Sequence, residues 1–322
     1  MNEFSPWQQR AYDHAVAALD SGRMGHALLV CGPAGLGQQE VVARLALHVL
    51  AKGDRGDRAR AQQLIAAGTH PDLQLVSFIP NKEGTRLRSE IVIEQIRGLS
   101  QKLALTPQYG EAQVAIVDPA DAINNAASNA LLKTLEEPAP GRYLWLLSAQ
   151  PARLSATIRS RCQKLEFRLP PHAEALAWLQ AQGHAPALAS EALEAARGHP
   201  GIALDWLQND GLALRRQVAE DLQKLERGEM GANETAQRWA ADEQLHARLS
   251  HAADIVLAWA GETGLTNPSR LNKLSAWFDA ANRTRDLLRT TIRADLAVAD
   301  LLLGWVMADR TASRGRARKQ GE

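Results

Sequence analysis

The sequence predicts an α/β domain built on a parallel sheet, followed by a small helical domain and a larger all-helical one. Three observations carry that expectation. Short apolar runs alternate with helix-period stretches through the first half of the chain, Pro170-Pro171 ends the alternation, and no convincing strand pattern follows it.

The elements justify themselves in chain order. Ala27–Cys31 is a continuous apolar run, as a strand buried on both faces requires. A glycine-rich turn leads to a helical stretch over Val41–Leu50. Leu73–Phe78 reads as the second strand, Ile91–Leu103 as a helix, and Val114–Val117 as the third strand. Ala126–Glu137 is helical and stops at Pro138, which cannot continue a helix. Tyr143–Ser148 and Lys164–Phe167 complete the strands. Strand and helix in alternation need crossovers, and crossovers give parallel pairing with helices on both faces.

Residues 172 to about 207 hold two or three short helices, punctuated at Gly183 and at Gly198-His199-Pro200-Gly201. Asn209-Asp210-Gly211 is a turn signal. Beyond it the pattern is helical to about 309; Leu296, Ala299, Leu303 and Val306 recur at three- and four-residue steps on one apolar face. The expected division is therefore 1–170 (α/β), 171–208 (small helical), 209–309 (helical) and 310–322, a frayed basic tail.

Composition narrows the classes. The 322 residues carry 37 Lys and Arg against 36 Asp and Glu, so the chain as a whole is neither a polybasic coat nor an acidic disordered segment. Arg310, Arg314, Arg316, Arg318 and Lys319 against Glu322 give the last segment a local +4, leaving −3 for the rest. A body of that sign must bind any phosphate by local geometry. Two cysteines, Cys31 and Cys162, cannot build a disulfide framework and point to a reducing compartment. The start lacks a basic stretch followed by an apolar one, and no run approaches a membrane span. The expectation is a soluble cytoplasmic protein. Eight tryptophans, scattered and mostly beyond residue 200, suit helix packing; no Arg-aromatic interleaving suggests base stacking.

After the first strand, Gly32-Pro33-Ala34-Gly35-Leu36-Gly37-Gln38-Gln39 has the layout of a Walker A loop. That loop cradles phosphates with backbone N–H groups, while a Lys reaches the terminal phosphates and a Ser or Thr hydroxyl binds magnesium. Gln38 occupies the Lys position and Gln39 the hydroxyl position. Gly32, Gly35 and Gly37 keep the turn, but the charge and the metal ligand are gone. After the third strand, Asp118-Pro119-Ala120-Asp121 has Pro119 where a hydrolytic site needs Glu. Losing a charge clamp or metal ligand costs several kcal/mol of transition-state stabilisation. The loop is expected to serve folding, with Asp118 and Asp121 as remnants of the second motif.

These residues carry a resemblance. Arg23-Met24-Gly25-His26-Ala27-Leu28-Leu29, Gly68-Thr69-His70-Pro71-Asp72-Leu73, Ile93-Glu94-Gln95-Ile96-Arg97, Asn129-Ala130-Leu131-Leu132-Lys133-Thr134-Leu135-Glu136-Glu137-Pro138 and Ser160-Arg161-Cys162 occur in an order and spacing similar to bacterial clamp-loader ATPase subunits across residues 20–170. The three-part layout matches over the whole chain. With its altered Walker loop, the chain resembles most the non-hydrolysing delta-prime branch of this AAA+ family. The resemblance implies an AAA+ module of α/β domain plus helical lid, then a helical collar that packs with delta and gamma/tau subunits in a five-membered ring. It implies a stationary wall without ATP hydrolysis of its own, working within the DNA polymerase III holoenzyme, a DNA-directed DNA polymerase. The sliding clamp and primer-template DNA are indirect partners.

In this family the Arg of Ser-Arg-Cys enters a neighbouring gamma/tau ATP site, a role carried over to Arg161 with Ser160 and Cys162 as its interface motif. A planar, always-charged guanidinium suits phosphate oxygens, and a finger given in trans is worth roughly three to five orders of magnitude in rate. From the residues alone, a salt bridge to Glu166 or another sheet-edge acid fits Arg161 equally well. Ser148 matches the polar first-sensor position and equally a strand-end hydrogen bond. Lys133, Glu136 and Glu137 read as solvated helix charge or as contacts to a neighbour.

Two departures from the family stand out. Relatives often carry four cysteines of a zinc module between the loop and His-Pro-Asp. Here Ala51 to Gly68 holds none, so no zinc is expected and His70 reads as a capping or core histidine. Pro200 or Gly201 replaces the sensor Arg of active subunits. Two other functions are open to test: an active ATPase with an unconventional Gln38 loop, and a stand-alone DNA-binding protein using the basic tail.

Overall fold

A computed structural model of the chain describes residues 3–52, 58–81, 83–263, 266–288 and 290–319. The chain forms two compact units, residues 1–204 and 205–322.

In the first unit, five parallel strands lie in the order β2-β3-β4-β1-β5. They are β1 (Ala27–Cys31), β2 (Leu73–Val76), β3 (Gln113–Val117), β4 (Arg142–Ser148) and β5 (Gln163–Glu166). All five apolar runs of the sequence became strands; the inner ones, β1, β3 and β4, bury both faces, while β2 and β5 form the more exposed edges. Alternate residues of β1 show how: Ala27, Leu29 and Cys31 enter one core with Ile96, Leu131 and Ile158, while Leu28 and Val30 enter the other with Trp7, Val41 and Leu45. Register aligns Cys31 with Ser148 on one side and Glu166 on the other. The strands' C-terminal ends therefore meet at one edge, where open α/β sheets form their sites.

Six helices accompany the sheet: α1 (Pro6–Asp20), α2 (Gln38–Ala51), α3 (Arg58–Ala66), α4 (Ile93–Leu103), α5 (Asn125–Glu136) and α6 (Ala156–Arg161). Three more follow in or from this unit, α7 (His172–Ala181), α8 (Pro186–Ala195) and α9 (Pro200–Gln208). The sequence reading did not single out α1. Its start is nonetheless signalled by Ser5-Pro6 and by a capping box in which Gln8 Oε1 accepts from Ser5 N at 2.8 Å. Of the segment in which a zinc module was not expected, 58–66 is helix α3, while 53–57 lie outside the described residues. His70 is buried, and its Nδ1 accepts from the Asp72 amide at 3.2 Å. Buried Asp72 in turn accepts from the Gln108 and Tyr109 amides, both at 2.8 Å, so this motif pins a turn.

The second unit is helical: α10 (Gly211–Glu226), α11 (Ala232–Ala240), α12 (Leu245–Thr263), α13 (Pro268–Leu287) and α14 (Ala294–Lys319). Tryptophans form its pillars. Trp239, Trp277 and Trp305 are buried, with indole N–H groups donated to Asp221 (2.8 Å), Leu301 O (3.0 Å) and Leu222 O (3.0 Å). Burying the rings while keeping each donor satisfied is how tryptophan serves a core. Helix α14 runs to Lys319, past residue 309 where a frayed tail was expected. Ala, Arg and Lys favour helix, and basic residues suit a helix C-terminus. Among the described residues, no helix is long and apolar enough to cross a membrane.

Candidate functional site

Gly32, Gly35 and Gly37 all have positive φ, at +142°, +86° and +85°. A Cβ on Gly32 would lie 2.2 Å from the Phe167 carbonyl oxygen, so the loop needs glycine where it passes the end of β5.

The groups that should face a ligand face each other instead. Gln39, at the magnesium-hydroxyl position, donates from Nε2 to Asp118 Oδ2 at 2.6 Å. Gln38, at the Lys position, turns back and donates to the Pro33 carbonyl at 2.6 Å. The Asp118 carboxyl is raised above its ordinary range by burial and by Asp121 nearby, against the opposing pull of the Gln39 hydrogen bond. Asp121 accepts from Ser148 Oγ at 2.7 Å and Ala149 N at 3.2 Å. Ser148 therefore makes the strand-end hydrogen bond, and its partner is Asp121.

Two other elements close on the loop. From α1, Trp7 Nε1 donates to Leu36 O at 2.9 Å, and the Gln8 amide fills the space a Gly37 side chain would need. From α9, Gly201 sits against Gly35: a Cβ there would come 1.9 Å from the Gly35 carbonyl oxygen. Buried His199 lies beside Gly35 as well, its Nδ1 accepting from Ile202 N at 3.2 Å. Glycine at 201 thus lets α9 pack closely on the loop. Trp7, Gln8 and His199 are participants that sequence reasoning missed. The Ser5–Gln8 capping pattern was the one signal that could have placed α1 here.

Arg161 lies apart from this cluster. It ends α6, whose N-cap Ser155 accepts from Ile158 N at 3.3 Å. Ile158 and Cys162 are buried on either side of it, which fixes the backbone and turns the arginine outward. Ser160 Oγ donates to Thr157 O at 3.0 Å. The tripeptide thus has a division of labour: Cys162 anchors, Ser160 closes the helix turn, and Arg161 lies at the surface with Nη1 donating to Thr157 O at 3.1 Å. The Cys162 thiol is pushed up to about 11 by burial.

The acid beside Arg161 corrects the sequence reading. It is neither Glu166 nor another sheet-edge acid but Glu136, at the end of α5, with Oε1 2.6 Å from Arg161 Nη2. Glu166 pairs with Arg168 instead, at 2.6 Å; two residues apart on extended chain, these side chains share a face. A shallow cleft of about 380 Å³, lined by His26, Ser100, Lys133, Thr134 and Arg142, lies at the start of β4, away from the glycine loop.

A family model described as "DNA polymerase III, delta subunit" matches residues 7–171. DNA polymerase III subunit delta' of Pseudomonas aeruginosa is 36% identical over 248 residues, 74% of this chain and 72% of that protein. The chain belongs to the DNA polymerase III delta' family. The Escherichia coli K12 subunit of that name is 33% identical over 67% of this chain and 65% of its own length. Among solved structures, a DNA polymerase III gamma subunit-related protein of Thermotoga maritima covers 94% of this chain and 99% of its own, at 14% identity and TM-score 0.43. A delta'-type clamp-loader role in DNA replication, on an AAA+ α/β domain with an all-α C-terminal region, goes with the family.

Proposed function

We propose that this delta'-type subunit acts as a cytoplasmic, non-hydrolysing stator of the replicative clamp loader. It has no zinc module, and it donates Arg161 in trans to the ATP site of a gamma/tau neighbour. Its partners are gamma/tau and delta subunits, with the sliding clamp and primed DNA reached through the assembly. One observation carries the reading. The side chains at the phosphate-ligand positions are spent on internal bonds, Gln39 to Asp118 and Gln38 to Pro33, while Arg161 sits at the surface with its guanidinium part-exposed in an ion pair with Glu136.

Two measurements test this. Fluorescent-nucleotide titration of the isolated chain is expected to show no tight, magnesium-dependent binding; such binding would favour an active ATPase with an unconventional loop. In the reconstituted loader, Arg161→Ala is expected to reduce DNA-stimulated ATPase and clamp loading while the complex still assembles. Unchanged ATPase in that variant removes the finger assignment.

A further inference from the structure

We propose that Glu136 is the resting partner of Arg161: a positioning residue that holds the guanidinium at the end of α6 and releases it to a neighbour's phosphate oxygens. The inference rests on Arg161 acting in trans and concerns what that arginine does before it engages.

The geometry is that of a held but exchangeable group. Arg161 Nη2 lies 2.6 Å from Glu136 Oε1, and Nη1 donates to Thr157 O at 3.1 Å. Both backbones are fixed. On α5, Leu135 is buried with its carbonyl 3.0 Å from His26 Nε2, the Thr134 hydroxyl meets Ser100 Oγ at 2.8 Å, and Pro138 follows the helix end. On α6, Ile158 and Cys162 are buried. Two rigid supports thus present two mobile, opposite charges to each other. The pair itself stays wet, with side chains 35% (Arg161) and 48% (Glu136) exposed.

Exposure decides the energetics. A solvated ion pair shifts an equilibrium by about fivefold at most. A guanidinium facing phosphate forms charge-assisted, forked hydrogen bonds that are shorter and stronger. The triphosphate also carries several charges against one carboxylate. Glu136 cannot stay paired beside those oxygens without adding like-charge repulsion, so the carboxylate is exchanged rather than shared. Holding Arg161 in the unengaged state lowers the fraction of free finger and weakens its apparent engagement by that fraction.

The test is Glu136→Gln in the fully reconstituted loader, alone and with Arg161→Ala, after confirming unchanged assembly and melting. The apparent KM for ATP in DNA-stimulated hydrolysis is expected to fall about two- to fivefold, with kcat altered less than about twofold. The difference should shrink as salt screens the pair and vanish on the Arg161→Ala background. A kcat loss with unchanged KM overturns the proposal and assigns Glu136 an aiming role. An equal shift on the Arg161→Ala background overturns it too, since Glu136 would then act independently of that side chain. Failure of the finger reading is separate: it shows as unchanged ATPase in Arg161→Ala alone, and it would withdraw both assignments.

Discussion

Gly201→Ala isolates the contact that closes the lid on the phosphate loop, and two opposing effects decide its sign. Gly201 lies in helix α9, where alanine is intrinsically better than glycine by up to about 1 kcal/mol. Against that, the new Cβ would stand 1.9 Å from the Gly35 carbonyl oxygen and 2.9 Å from its carbonyl carbon. Both are backbone atoms, so no side-chain rotation relieves the clash, and the loop or the helix must shift by more than an ångström, on the order of the gap to ordinary contact distance. Overpacking of this kind costs about 1–3 kcal/mol, and a backbone obstacle argues for the upper end. The net expectation is a loss of about 2 kcal/mol. Gly98→Ala is the control: it sits inside helix α4 with nothing within 4 Å of its new Cβ. It should gain about 0.5–1 kcal/mol. Thermal unfolding followed by tryptophan fluorescence reads both, since Trp7 and Trp178 meet edge-on at 5.0 Å in this unit. At about 2–4 °C per kcal/mol for a unit of this size, Gly201→Ala should melt about 4–8 °C lower and Gly98→Ala slightly higher. Equal stabilisation by both substitutions would refute the close approach of α9 to the loop.

Three further outcomes follow from single sites. His251 is buried against the Trp206 ring, and burial together with Arg215 and Arg248 draws its imidazole down to about 4. The unfolded chain takes up that proton from about pH 6.5 downward while the folded unit refuses it, so about 3 kcal/mol is fully present above pH 6.5 and lost as pH falls toward 4; urea midpoints across that window should slope accordingly, and His251→Gln should flatten the slope. Asp221, buried, accepts from Trp239 Nε1 at 2.8 Å and pairs with Arg238 at 2.7 Å; Asp221→Ala leaves a buried indole donor unpaired and should cost about 1–3 kcal/mol in chemical unfolding, with Asp221→Asn costing less. Cys162, with its thiol pushed up to about 11, should resist an aromatic disulfide reagent at pH 8 until denaturant is added; rapid modification in the native protein would contradict its anchoring role.

The inner strands β1, β3 and β4 were legible because each had to be apolar on both faces, and a continuous run such as Ala27–Cys31 leaves little ambiguity. Helices α2, α4 and α5 were legible from period and terminators. Helix α6, at six residues, is too short to show a period, yet it sets the direction of Arg161. Its acid partner was not legible: Glu136 precedes Arg161 by 25 positions, and only the packing of α5 beside α6 brings their charges to 2.6 Å. Helix α14 runs past its expected end to Lys319, and no proline interrupts the basic segment.

By itself, the sequence determined which side chains the glycine loop and the end of the third strand can offer. Gln38 and Gln39 carry neither a cationic amine nor a hydroxyl, and Pro119 carries no carboxylate, whatever the fold does with them. Only the tertiary structure decided what fills their place. The Gln39–Asp118 bond, the Trp7 bond to Leu36 and the seat of Gly201 on Gly35 all join residues at least 29 positions apart. Hydrogen bonds and contacts act over a few ångströms of space, and separation along the chain does not encode that distance.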